Sequence, residues 1–475
     1  MRDGAPTMSA AAVRALPFDR LEKRVRGDII RPGETSYERA RRVWNASIDR
    51  YPAVIVRCTG VADVIGALDF ARETDLPVAV RGGGHNVAGN AVCDDGLIID
   101  LSGMKGIRVD PDRRVVHAQP GLTWGEFDHE TQTFGLATPG GLVSSTGIAG
   151  FTLGGGLGWL SRKHGTASDN LLAADVVTAD GRLVKADPTT CADLFWAIRG
   201  GGGNFGVVTS FEYRLHPVGP LVLGGVVFYP ADAAVDVLRL LRDVLAGYPD
   251  ELTAAAVLRT APAAAFLPSH AHGRHVIAVA LCWSGLIEEG EAQLRPLRQL
   301  GRPLADLLAA RPYTQLQCML DAAWGPGFHN YWKAEYLKGL SDEAIDVIVA
   351  QAERITSPLS DVKVIPGGGA VARGDESVSA FAHRQAPFIL NINSRWSDPS
   401  EAARHIEWTQ TFWEAMRPFS ADGVYVNFLG DEGEDRVRAA YGPLVYERLT
   451  QIKGRYDPTN FFRVNQNIRP PRRGG

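Results

Sequence analysis

Three consecutive glycines, Gly82, Gly83 and Gly84, followed by His85 and Asn86, constrain this chain more than any other stretch. Apolar runs flank them, Val78–Val80 before and Leu97–Ile99 after, so the pattern predicts strand, glycine turn, strand. Glycine takes positive φ without strain and lets backbone amides come close to a ligand. Successive amides of this kind form a concavity for anionic oxygens such as those of a pyrophosphate.

A second glycine-dense segment, Pro139–Gly158, reads PGGLVSSTGIAGFTLGGGLG and is studded with apolar residues. Such a stretch can be buried only if its amides are hydrogen-bonded, and a long planar polar ligand would satisfy them. The run GGGNFG at 201–206 has the spacing G-x-G-x-x-G, but a helix precedes it and a strand follows. A dinucleotide fingerprint needs the reverse order, so a Rossmann site is rejected. The sequence holds no P-loop, no H-E-x-x-H and no G-x-S-x-G, and no metal centre is expected. His85 has two readings: a hydrogen-bonded loop histidine, or a nucleophile tethered to the C8 methyl of a flavin held beside it.

The chain has 475 residues, 45% hydrophobic and 22% charged, an ordinary globular balance. Its net charge of −4, with both signs interspersed, argues against a nucleic-acid partner. Five scattered cysteines without a CxxC pair fit a reducing compartment. Neither a secretory leader nor an apolar run of about 20 residues is present, so a soluble, cytoplasmic protein is expected.

Residues 1–36 read as an N-terminal arm. Helix 37–44 follows, and strand 53–58, a helix capped by Thr59 and strand 78–81 then form a βαβ unit, residues 53–81, that ends at the glycine triplet. Strands are expected at 97–101, 107–109, 115–119 and 207–215, helices at 122–134 and 191–199, and a hairpin at 174–185. Beyond Pro217, helices at 233–247, 285–300, 341–355 and 400–417 alternate with strands at 222–228, 275–282 and 388–396. The tail carries a helix at 445–456.

Taken together, these motifs resemble the berberine-bridge-enzyme-like FAD-linked oxidases, which have the vanillyl-alcohol-oxidase fold. The matching stretches run from about Ser36 to Leu215, then Gly367–Trp396 and Gly423–Ile468. The resemblance implies an α+β, two-domain protein: an FAD domain at 37–215, a substrate domain at 216–430, and a C-terminal segment, 431–475, returning to the FAD domain. It assigns Arg81, Gly82, Gly83, Gly84, His85 and Asn86 to the pyrophosphate loop, with His85 as the 8α-linked residue, and Gly89 is expected among the cofactor-binding residues. Gly141, Ser145, Thr146, Gly147 and Gly150 would lie along the flavin ring, Val176–Val177 would meet adenine through backbone atoms, and Asn465, Gln466 and Asn467 would close over the cofactor.

Three departures matter. Val143 replaces the cysteine that forms a second flavin bond in many relatives, so attachment through His85 alone is expected. Phe151 replaces a frequent histidine, and Leu157 a tyrosine of several sugar and alcohol oxidases. On the substrate side the resemblance points to Asn391, Asn393 and Tyr425, the last as base, helped by a cation for which Lys333 is a candidate. A core-edge tyrosine is the plain alternative. The implied activity is hydride transfer from an alcohol or amine C–H to FAD, with O2 reduced to peroxide, in a monomer or homodimer with a small-molecule substrate. Oxidative cyclisation of a biosynthetic intermediate, a dehydrogenase and a non-enzymatic flavin-binding protein are the alternatives.

Overall fold

Strands Val54–Arg57 and Val78–Arg81 both run parallel to Leu97–Asp100, which lies between them in a computed structural model describing residues 8–245 and 247–471. These strands are nearly continuous apolar runs because both their faces are buried. The crossover is helix Val61–Glu73. Its N-cap is Gly60, not Thr59 as the sequence suggested. Asp63 explains the difference: its carboxylate accepts the backbone N–H groups of Arg26, Gly27 and Thr59 and the Thr59 hydroxyl, drawing Thr59 out of the capping role. The glycine triplet therefore leaves the carboxyl end of a parallel strand, the usual position for a ligand on such a sheet.

The N-terminal arm is a correction. Its first seven residues lie outside the described residues, but helices Ala10–Arg14 and Phe18–Glu22 and strand Asp28–Ile30 follow. The strand adds antiparallel to Val54–Arg57, and Phe18 and Leu21 are buried, so this stretch belongs to the first sheet.

A second, five-stranded antiparallel sheet runs in the order Ile107–Asp110, Val115–Ala118, Val207–Arg214, Leu171–Val177, Leu183–Ala186. Helix Trp124–Gln132 packs beside it, started by a capping box between Thr123 and Glu126. The third sheet is the largest and wholly antiparallel, its long strands ordered Leu221–Pro230, His275–Trp283, Leu252–Thr260, Asp361–Pro366, Phe388–Trp396, His329–Leu337. Helices Ala234–Leu245, Asp342–Ala352 and Ala402–Met416 cover one face, meeting Val362, Val364, Leu390 and Ile392. The alternate residues Lys363, Asn391 and Asn393 face the other way. The tail helix, Glu434–Tyr456, is longer than expected and breaks at Gly442, whose φ of 69° precedes Pro443. Among the described residues no helix is long and apolar enough to cross a membrane.

Candidate active site

A cavity of about 350 Å³ lies where the glycine segments, the polar face of the large sheet and the C-terminal tail converge. Gly82, Gly83, Gly84, His85 and Asn86 line it, as do Gly141, Thr146, Gly147, Gly150 and Asn465. The two glycine loops touch backbone to backbone. A Cβ on Gly83 would sit 2.4 Å from the Gly147 nitrogen, and one on Gly147 would sit 2.4 Å from the Gly83 nitrogen, so only glycine permits this approach. Buried side-chain oxygens of Asn391, Asn393 and Asn465, which line the cavity, have no partner among the described residues. An amide-rich cradle, unpaired polar atoms and apolar walls suit a long ligand with an anionic middle and a flat polar end, which describes FAD.

His85 forms part of the wall. Its Nε2 lies 3.0 Å from Ser145 Oγ, and its ring stacks on Trp44 at 5.4 Å and 20°. Burial lowers its pKa to about 4 against a smaller opposing pull from Asp321, so the imidazole is neutral at physiological pH.

Tyr425 is buried on the opposite side of the sequence but in the same cavity. Its phenol oxygen accepts the backbone N–H of Gly156 at 3.1 Å and of Leu157 at 3.2 Å, and the Asn427 Nδ2 at 2.8 Å. The amides converge because Gly155 and Gly156 adopt φ of +106° and +88°. Burial nevertheless pushes the phenol up to about 12, with the three donors acting in the other direction. Lys333 is not the helper that the sequence suggested. It points to the helix-covered face, pairs with Glu432 and lies 4.6 Å from the Trp413 ring centre.

The cation in the cavity is Lys363, which sequence reasoning missed. Lys363 is opposite Asn391 and Asp361 opposite Asn393 in adjacent strands. Lys363 Nζ is 2.6 Å from Asp361 Oδ1 and 4.0 Å from the centre of the Trp324 ring. Burial lowers its pKa, while Asp361 supports the charge. Asn393 Nδ2 donates to Asp361 Oδ1 at 3.1 Å, and among the described residues the amide oxygens of Asn391 and Asn393 have no partner. The signal was present in DVKVIP, where valines alternate with a charge, but its strand was not recognised.

Several residues assigned to the cofactor do not line the cavity. Arg81 turns away and donates to the carbonyls of Ala40, at 2.5 Å, and Arg42, at 3.3 Å, because its strand directs alternate side chains to opposite faces. Gly89 has φ +73° and packs against Ile48. Val177 is core, paired with Val207 and Leu183. Ser145 contacts His85 rather than the cavity itself, and Asn467 lies beyond it. Val143 does line the cavity, as do Phe151 and Leu157.

Residues 52–187 match the FAD binding domain family model, and residues 424–469 match the berberine and berberine-like model. An FAD-linked oxidoreductase of Dictyostelium discoideum is 32% identical over 451 residues, covering 94% of this chain and 95% of that one. The (R)-6-hydroxynicotine oxidase of Paenarthrobacter nicotinovorans is 28% identical, with 94% and 97% covered. The crystal structure of 6-hydroxy-D-nicotine oxidase from Arthrobacter nicotinovorans superposes with a TM-score of 0.86 at 27% identity, covering 94% of this chain and 98% of that one. The α+β fold, the cofactor cradle and these similarities agree: the chain is an FAD-dependent oxidoreductase and belongs to the berberine-bridge-enzyme-like family of FAD-linked oxidases.

Proposed function

We propose that the protein is an oxidase that removes a hydride from a small-molecule C–H beside a hydroxyl or amine, with dioxygen as final acceptor, giving hydrogen peroxide. FAD, when bound, supplies the two-electron acceptor; on this reading it is bonded to His85 only, since Val143 offers no thiol. Residues 37–215 and 431–475, joined by strand Asp28–Ile30, hold the cofactor, and 216–430 receives the substrate.

The observation that carries this reading is the convergence of three N–H donors on the Tyr425 oxygen inside the cavity. Such donors stabilise a phenolate, the form that takes the substrate's hydroxyl or amine proton. Because burial holds the phenol high, ionisation limits the rate near neutrality, and turnover rises with pH. Lys363, Asn391 and Asn393 orient the polar end of the substrate, and Trp44, Trp324 and Trp332 bound its flat faces.

A substrate screen read by peroxide formation tests the proposal. One peroxide per substrate oxidised is the expected result. A reduced enzyme that persists in air for minutes would instead place it among the dehydrogenases.

A further inference from the structure

Residues 313–327, carried between strands of the large sheet, reach across to the glycine loops and hold His85 from two directions. Along the ring edge, both carboxylate oxygens of Asp321 are used on Ser144: Oδ1 accepts its backbone N–H at 2.8 Å and Oδ2 its hydroxyl at 2.6 Å. The next residue is Ser145, whose Oγ engages His85 Nε2. Against the ring face lies Trp44, whose Nε1 donates to the Trp324 carbonyl at 2.8 Å. Rotation and tilt of the imidazole are thereby both restricted. The hydrogen bond of the ring is at Nε2, and among the described residues Nδ1 takes none. Addition through it creates an imidazolium in a site that disfavours charge, and Asp321 is the carboxylate whose field opposes that cost.

We infer that Asp321 is a positioning residue for cofactor attachment: by ordering Ser144 and Ser145 it fixes Nε2, presents Nδ1 to the flavin C8 methyl, and sets a negative charge behind the ring. This rests on the His85 reading above. In balance, one methyl C–H hydrogen and the imidazole N–H hydrogen leave and a C–N bond forms. Dioxygen takes up both hydrogens and two electrons as hydrogen peroxide.

The test compares full-length wild type, Asp321→Asn, Asp321→Glu and Ser145→Ala. Each is supplied with FAD in air, and flavin retained after acid precipitation is followed with time, alongside denatured mass. Asp321→Asn and Ser145→Ala are expected to bind normal total flavin but to link it about tenfold or more slowly, the scale on which outer-shell partners of oriented histidines act. Asp321→Glu should recover most of the rate. Mapping the linked peptide should show Nδ1 attachment in wild type and a mixture of Nδ1 and Nε2 in Ser145→Ala, a change that a loss of general stability does not produce. Equal linking rates in all four chains, or Nε2 attachment in wild type, would overturn the inference while leaving the attachment to His85 standing. Release of all flavin from wild type by acid would instead remove the attachment itself.

Discussion

Burial that keeps His85 neutral also keeps its lone pair available, which is the condition for a nucleophile. His85→Ala should therefore still bind FAD through the glycine cradle but lose all colour to the supernatant on acid precipitation. At Tyr425 the donors and the buried setting oppose each other, and the pH profile separates them. Turnover of wild type should climb through the alkaline range. Tyr425→Phe should lower kcat by about 10²–10⁴-fold, the range of general acid–base contributions. Asn427→Ala removes the shortest of the three donors and should move the alkaline limb further up. A Tyr425→Phe enzyme with unchanged kcat would end the assignment of that residue as base.

Among the elements, the strands of the large sheet show how period two sorts chemistry. In Phe388–Trp396 every residue is buried, yet Leu390 and Ile392 meet helices while Asn391 and Asn393 meet the cavity. The tail depends on one buried ion pair. Lys453 and Asp457 side chains are both 0% exposed; Lys453 also donates to the carbonyls of Asn204 and Phe462, and Asp457 accepts the N–H groups of Phe461 and Phe462. Removing one partner leaves a buried charge uncompensated, so Asp457→Ala should cost about 3–5 kcal/mol in denaturant unfolding. It should also weaken flavin retention, since Asn465 and Gln466 follow on the same anchored segment.

Across the molecule, buried titrating groups give opposing pH dependences. His164 and His216 stack at 3.8 Å, and burial lowers them to about 3 and about 4. Between their unfolded value of about 6.5 and those values the unfolded chain binds more protons, so this pair costs stability as pH falls through that window. Asp128 is raised by burial to about 7, with Gln317 Nε2 2.7 Å from its Oδ2. It keeps its proton only when folded, so its contribution is lost as pH rises from about 4 towards 7. Asp128→Asn should raise Tm at pH 8 relative to pH 5, and His164→Phe should flatten the fall in Tm below pH 6.5; thermal unfolding across pH checks both. Much of the fold and cradle was legible in the amino-acid order. Three glycines in a row between apolar runs, and a second glycine segment too apolar for a surface loop, demand a backbone-lined ligand site, because no other residue tolerates Gly83 against Gly147. Local pattern put Asn391 and Asn393 on one strand face, and it was the family resemblance that pointed to them and to Tyr425, all three of which line the cavity. Local pattern could not place Lys363 over Lys333, since which face of a strand meets the cavity depends on the sheet pairing, and Lys333 and Lys363 lie on opposite faces of the same sheet. Nor could it bring Asp321 to Ser144: a contact between residues 177 positions apart exists only once the large sheet has set residues 313–327 against the glycine loops.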